Sequence, residues 1–354
     1  MSDPTRGLHR RRFLTGALGV GAGAALTACT SNEPATPAAG PAVAPAPAAG
    51  GSAPGTPVTI GFSAPAADHG WIAAIAANAQ AQAEQFPDVT FEAVNPTNDI
   101  AQQIAAVETL INRGVDALVI LPNDGSQLTR VGRQAMDAGI PVINLDRIFD
   151  SPLAYRTWIG GDNYGMGVSA GHYVGQRLRD AGVANPIIGE IAGIDNLPLT
   201  AERSRGFTEA LATYGFAVGA RQAADFTAQG GQEVTANLLQ ANPRLDALWN
   251  HDDDQGIGVL AAIQQANRSE FFMVGGAGSA NAMRAIQADT GVLKATVTYS
   301  PSMAASAVAL ARLVAQGRGM SDLAEHEVPA SITLASATIT KENVADYLPL
   351  GFES

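Results

Sequence analysis

The chain is poor in cysteine, in cations and in long apolar runs, and each shortage removes a class of function. Its 354 residues hold one cysteine, so no internal disulfide can form. The formal net charge is −12. Four arginines and one aspartate, three net positive charges, lie in residues 1–28, so the chain from Cys29 onward carries −15. A body of that sign is repelled by nucleic acid and by anionic lipid, which argues against either as a partner of its surface. The hydrophobic run from Ala17 to Leu26 is too short and too rich in glycine to span a bilayer. No acidic loop with spaced ligands and a central glycine is present. Asp252, Asp253 and Asp254 beside His251 are consecutive, point in different directions and do not read as a metal site. Gly275, Gly276 and Gly278 lack the acidic partner of a dinucleotide fingerprint, so no cofactor is expected there and a tight backbone turn near a ligand accounts for them.

What is present begins at the N-terminus. Arg10, Arg11, Arg12, Phe13 and Leu14 precede the apolar run, which ends in Leu26-Thr27-Ala28-Cys29. A basic start, a short apolar stretch and small residues before a cut describe an export signal over residues 1–28. The paired arginines followed by Phe13 and Leu14 resemble a twin-arginine signal. Cys29 stands where a bacterial lipobox places the cysteine that takes a diacylglycerol, which makes it the expected lipid-attachment site. Beyond it, residues 30–56 are almost entirely Ala, Pro, Gly, Ser and Thr. Such a composition buries too little apolar surface to fold, and residues 29–56 read as an extended tether rising roughly 3 Å per residue. The expected location is the outer face of the cytoplasmic membrane, held by lipid.

The remaining stretch of about 300 residues suits two packed lobes better than one core. It alternates strand and helix patterns. Val58-Thr-Ile-Gly-Phe62 is a short apolar strand, followed by helical spacing at Ile72, Ile75, Ala79 and Ala83. Thr90 to Val94, a helix from Asp99 to Arg113 closed by Gly114, the strand Ala117 to Leu121, a helix from Ser126 to Ala138 closed by Gly139, and Pro141 to Leu145 continue it. After Gly160-Gly161-Asp162-Asn163 the pattern restarts and runs to a last strand over Ile332 to Ile339. The predicted fold class is α/β, two doubly wound parallel-sheet lobes joined by a hinge of three crossings, near Gly160-Gly161, Tyr299-Ser300 and Ser331. The boundaries read as 57–160 plus 300–331 for the N-terminal lobe and 161–299 plus 332–354 for the C-terminal lobe.

In open α/β sheets ligands bind beyond the carboxyl ends of strands. Those places hold Asp68-His69-Gly70-Trp71, Asp146-Arg147, Asp162-Asn163, Ala201-Glu-Arg203, Asp225-Phe226-Thr227 and Asn250-His-Asp-Asp-Asp254. Carboxylates accept from paired hydroxyls, arginine donates a rigid fork, and flat aromatics cover the apolar face of a ring; together they are the side chains that recognise a neutral polyol.

The order Val142-Ile-Asn-Leu-Asp146-Arg147, Gly161-Asp-Asn163, Glu202-Arg203-Ser-Arg-Gly-Phe207, Ala224-Asp-Phe226-Thr and His251-Asp-Asp-Asp254 resembles the ribose-binding-protein type of periplasmic solute receptor. The likeness runs from about Val58 to about Thr338. It implies the type I periplasmic binding protein fold, a monomer without enzymatic activity, and delivery of a sugar or sugar-like molecule to an ATP-driven (ABC) importer. Carried over by position, it places ligand contacts on His69, Trp71, Asp146 and Arg147 in one lobe and on Arg203, Phe226 and Asp252 in the other. Trp71 and Phe226 would then sandwich the sugar, and Tyr299 stands at the hinge position that is glutamine in ribose receptors. Two further departures are Leu121, where ribose receptors place asparagine, and Ala277, where they place aspartate. Each changes the set of hydrogen bonds offered, so the pattern differs from the one that recognises ribose.

Three rivals are weighed against this reading. A transcriptional repressor of similar core would carry a DNA-binding helix pair before Val58, where a signal and tether stand instead. A sensory receptor presenting its closed form to a membrane signalling protein would use the same pocket. An exported hydrolase would need a nucleophile, and Gly167-Val-Ser169-Ala-Gly171 has the elbow spacing but a helical context, in which the glycines serve close helix packing.

Overall fold

Strands form where short apolar runs can be buried on both faces, and helices open on polar residues that cap their first turn. The computed structural model describes residues 53–320 and 327–354. These belong to one compact unit, Pro47–Ser354. The export signal, Cys29 and the tether through residue 52 lie outside the described residues.

The first lobe is built from β1 (Val58–Ser63), α1 (Gly70–Glu84), β2 (Val89–Ala93), α2 (Ile100–Arg113), β3 (Ala117–Ile120), α3 (Gly125–Asp137), β4 (Val142–Leu145) and β5 (Thr157–Gly161). Asp99 and Asp124 cap α2 and α3, accepting from the amides of Gln102 and Gln127 at 2.8 and 3.0 Å. Gly114 ends α2 in the left-handed region at φ 71°, where a side chain would be strained. The second lobe follows with α4 (Asn163–Asp180), β6 (Ile188–Ala192), α5 (Pro198–Ala212), β7 (Val218–Ala223), α6 (Ala228–Ala241), β8 (Ala247–Asn250), α7 (Asp253–Gln265), β9 (Phe272–Ala277), α8 (Ala280–Ala288) and β10 (Leu293–Thr298). Then α9 (Met303–Ala315) returns to the first lobe and packs on α1, β1, β3 and β4. The chain ends through β11 (Ser331–Leu334), β12 (Thr338–Thr340) and the single turn α10 (Val344–Tyr347).

Each lobe holds a six-stranded sheet, in the orders β11-β5-β4-β3-β1-β2 and β12-β10-β9-β8-β6-β7. Every neighbouring pair is parallel except β10 with β12. Ile60, Val119 and Ile143 on the central strands are fully buried, as a sheet covered on both faces requires.

Two sequence expectations need correction here. The strand expected over Ile332 to Ile339 is two strands on different sheets: Ser331–Leu334 pairs with Trp158–Gly161, and Thr338–Thr340 pairs with Ala295–Val297. The third crossing therefore falls at residues 335–337 and not near Ser331, and β11 belongs to the first lobe. The second correction is β5, taken for part of a crossing because Gly160 and Gly161 disguise a strand whose other residues are Thr157, Trp158 and Ile159. Ser169 and its flanking glycines lie inside α4. A Cβ on Gly167 would stand 2.0 Å from the Arg203 carbonyl oxygen, so these glycines let α4 and α5 touch.

The end of the tether is fixed to the body. Asp88 accepts from Arg312 Nη2 at 2.7 Å, from Gln316 Nε2 at 2.7 Å and from the Gly55 amide, while the Ala53 carbonyl accepts from Arg312 and Arg318. Burial opposes the charge on Asp88, but Arg312, Gln316 and Gly55 outweigh it and hold this carboxyl below the usual range. Removing the carboxylate takes the opposite charge away from the buried Arg312 guanidinium, so Asp88→Ala is expected to lower the unfolding free energy by about 3 kcal/mol in urea titration. A carboxyl held low stabilises the fold above its unfolded pKa, so this difference between parent and variant is expected at neutral pH and is lost as the pH falls below about 4.

Candidate functional site

The carboxyl ends of β1, β4, β6, β7, β8 and β10 meet at the seam between the lobes, and the residues that follow them surround one cavity. Its lining is His69, Trp71, Asp146, Arg147, Leu199, Arg203, Phe226, Asp252 and Tyr299. The seven side chains carried over as ligand contacts and Tyr299 at the hinge, which the resemblance adds as an eighth, are thus brought together, four from the first lobe, three from the second and one at the crossing. Leu199, in the first turn of α5, is the one lining residue that sequence reasoning missed; an isolated leucine after Pro198 carries no polar signal.

Asp146 takes a left-handed backbone, φ 60°, immediately after β4. Such a conformation in a residue other than glycine is costly, and here Trp158 Nε1 donates to the Asp146 carbonyl at 2.8 Å and holds it. The turn aims the Asp146 carboxyl at the seam, where it accepts from the Tyr299 hydroxyl. Arg147 donates through Nη1 to the Asn123 carbonyl at 2.8 Å, and its buried Nε has no hydrogen-bond partner among the described residues. Burial pushes the Arg147 guanidinium down, against Asp146 and Asp68.

From the second lobe, Arg203 is 4% exposed. It donates through Nε to Asn163 Oδ1 at 2.9 Å and through Nη1 to the His251 carbonyl at 3.1 Å. Its guanidinium carbon lies 4.5 Å from the Tyr299 ring centroid and 6.0 Å from that of Phe226. Trp71 and Phe226 are both buried, and Trp71 faces Tyr299 at 5.8 Å between centroids while His69 faces Phe226 at 6.0 Å.

The three consecutive aspartates diverge, as their adjacency predicts. Asp252 caps α7, accepting from the amides of Asp254 and Gln255 through Oδ1. Asp253 turns into the core of its lobe and accepts from the Gly276 and Ser279 amides and the Thr296 hydroxyl. Asp254 reaches across the seam and accepts from the Trp71 amide at 2.9 Å, at the start of α1, where His69 makes no side-chain cap. Burial, reinforced by Asp254, pushes Asp252 up to about 6, and burial pushes Asp253 up to about 8. Burial pushes His69 down, but Asp68 at 2.5 Å and the charges of Asp252 and Asp254 outweigh it and the net direction is up. Gly275 and Gly276, expected in a tight turn near the ligand, lie inside β9 and do not line the cavity, and Ala277, which ends that strand, is left-handed at φ 87°.

This architecture and this placement of the cleft define a periplasmic solute receptor. The periplasmic binding protein domain matches residues 60–319, and the chain belongs to that family. It is similar to the ribose import binding protein of Bacillus subtilis, 32% identical over 211 residues covering 59% of this chain and 66% of that protein. To the Escherichia coli ribose import binding protein it is 34% identical over 204 residues, 58% of this chain and 67% of that one. The chain thus spans about two thirds of the length of these relatives. A solved structure from Mycobacterium smegmatis in complex with β-D-fucofuranose superposes with a TM-score of 0.74 at 26% identity, covering 82% of this chain and 94% of the other. The chain is a receptor of the ribose-binding-like type.

Gly161 sets the depth of the site, since a Cβ there would stand 2.2 Å from Tyr299 Cε2. Gly161→Ala is expected to destabilise the protein by about 1–3 kcal/mol through overpacking. Chemical denaturation checks this, and a parent-like midpoint would show that Tyr299 is not wedged against that wall.

Proposed function

We propose that the protein captures a sugar or sugar-like molecule between its lobes and delivers it to an ATP-driven importer. In this reading it is held at the outer face of the cytoplasmic membrane by lipid on Cys29 and performs no chemistry of its own. The observation that carries it is the convergence of His69, Asp146, Arg147, Arg203 and Asp252 with Trp71, Phe226 and Tyr299, drawn from both lobes, on one cavity. Carboxylates and a guanidinium bond hydroxyls, while Trp71 and Phe226 cover the apolar face of a ring. The ligand stabilises the closed arrangement because only that arrangement completes the contacts from both sides. Micromolar binding needs about −8 kcal/mol, within reach of a few charge-assisted hydrogen bonds and stacked rings after ordering costs.

A thermal-shift screen of residues 53 to 354 against pentoses, hexoses, polyols and nucleosides, followed by calorimetry, tests the reading. A one-to-one micromolar complex with a sugar supports it, and the absence of any shift from folded protein rejects a sugar ligand. In the same assay Arg203→Ala is expected to weaken binding by about 2 kcal/mol, roughly thirty-fold, with circular dichroism confirming the fold. Unchanged binding would remove Arg203 from the site.

The Asp252 carboxyl adds a pH dependence. A ligand hydroxyl donates to its ionised form, so binding requires loss of a proton that the free protein holds below about 6. Affinity is therefore expected to be level above that pH and to fall about tenfold per unit below it. Asp252→Asn should flatten the profile between pH 5 and 7.5; a flat profile in the parent would show that Asp252 does not bond the ligand.

A further inference from the structure

The cavity at the seam has room for little more than one water, about 20 Å³, because Tyr299 fills it. The Tyr299 side chain sits in the site as a ligand would. Its ring lies 5.8 Å from the Trp71 ring, tilted by 42°, and 4.5 Å from the Arg203 guanidinium carbon, while its hydroxyl donates to Asp146 from the first lobe and accepts from Asn163 Nδ2 of the second at 3.3 Å. A flat apolar ring with a hydroxyl donor is the chemistry that the surrounding residues are suited to bind. A sugar ring cannot enter while the phenol is there. Beside it lies a larger chamber of 210 Å³ that shares Asp146, Arg147 and Leu199 and includes Asn163, so both side chains bonded to the Tyr299 hydroxyl, Asp146 and Asn163, face that chamber.

We propose that Tyr299 is a specificity-determining competitor within the site: its phenol holds the ligand's place, and a ligand binds by taking Asp146 from it. This rests on the sugar-binding reading of the same residues. It names the ligand class more narrowly. A replacement must restore both the donor to Asp146 and the flat face between Trp71 and Arg203, so cyclic sugars bind and the corresponding open-chain alcohols, which offer the hydroxyls without the ring, do not.

The test is Tyr299→Phe, which keeps the ring and removes the competing hydroxyl. Parent, Tyr299→Phe and Arg203→Ala are titrated calorimetrically with D-ribose, L-arabinose, ribitol and L-arabitol, and each is melted with and without sugar. Removing one competing hydrogen bond is expected to tighten cyclic-sugar binding about fivefold. The free variant should melt below the free parent, because Asp146 has lost its donor. Weaker binding would show that the hydroxyl contacts the ligand, and equal binding would show that it never leaves Asp146; either overturns the competitor. Binding of the alcohols as tight as that of the sugars overturns the ring requirement. Loss of binding in Arg203→Ala keeps the site reading whichever way Tyr299→Phe turns out. If neither parent nor Tyr299→Phe binds any of the four, the competitor proposal falls, and the sugar reading is decided separately by the wider screen of pentoses, hexoses, polyols and nucleosides.

Discussion

A carboxyl buried between two bodies must keep hydrogen-bond donors around it, and Asp146 imposes that condition on the seam of this protein. It is 6% exposed and turned inward by its left-handed backbone. The donor that answers it, Tyr299, is fixed at three further points. Its amide donates to the Ala277 carbonyl, its carbonyl accepts from Trp71 Nε1 at 2.8 Å, and its ring lies against Gly161. One residue at a crossing, just after β10, thereby touches both Trp71 in the first lobe and Arg203 in the second. Asn163, which accepts from Arg203 and donates to Tyr299, closes the same network at the start of α4.

The lobes are distinct as sheets and interleaved as chain. Strand β11 completes the first sheet after β6 to β10 of the second lobe have been traversed, and α9, which follows β10, covers the first sheet beside α1. The Asp88–Arg312 pair joins residues 224 positions apart within that lobe. Neither sheet is whole until the C-terminal segment has docked, which makes the last 60 or so residues a condition for both lobes, in keeping with the cooperative behaviour of single folding units.

Much of this was legible. Gly114 and Gly139 mark helix ends because both adopt φ near +70 to +80°, and Asp99 and Asp124 cap the helices they precede. Site residues at strand ends are legible because parallel α/β topology puts those ends at one edge, so Asp146, Arg203 and Phe226 can be read without knowing any distance. Strand β5 was hidden because paired glycines carry no β propensity, and its place is decided by pairing with β4 and β11. The split between β11 and β12 was hidden for a related reason: two short strands in one polar-apolar stretch look like one until their partners are known. Helix α7 begins at Asp253, four residues before its first apolar residue, Ile257, so its polar first turn carries no apolar pattern. That Tyr299 occupies the site follows from the size of its side chain against the Gly161 wall, which no pattern in the sequence encodes.

The bond from the Trp71 amide to Asp254 has a further meaning. Helix α1 borrows its N-terminal cap from the opposite lobe, and Asp254 does not line the cavity. Under the proposed closure, part of the free energy that holds the two lobes together is independent of what lies between them. The strength of capture can then be tuned by substitution at a position outside the cavity wall, while the choice of cargo is tuned at Tyr299 and its neighbours, so that affinity and selectivity have different residues on which to evolve.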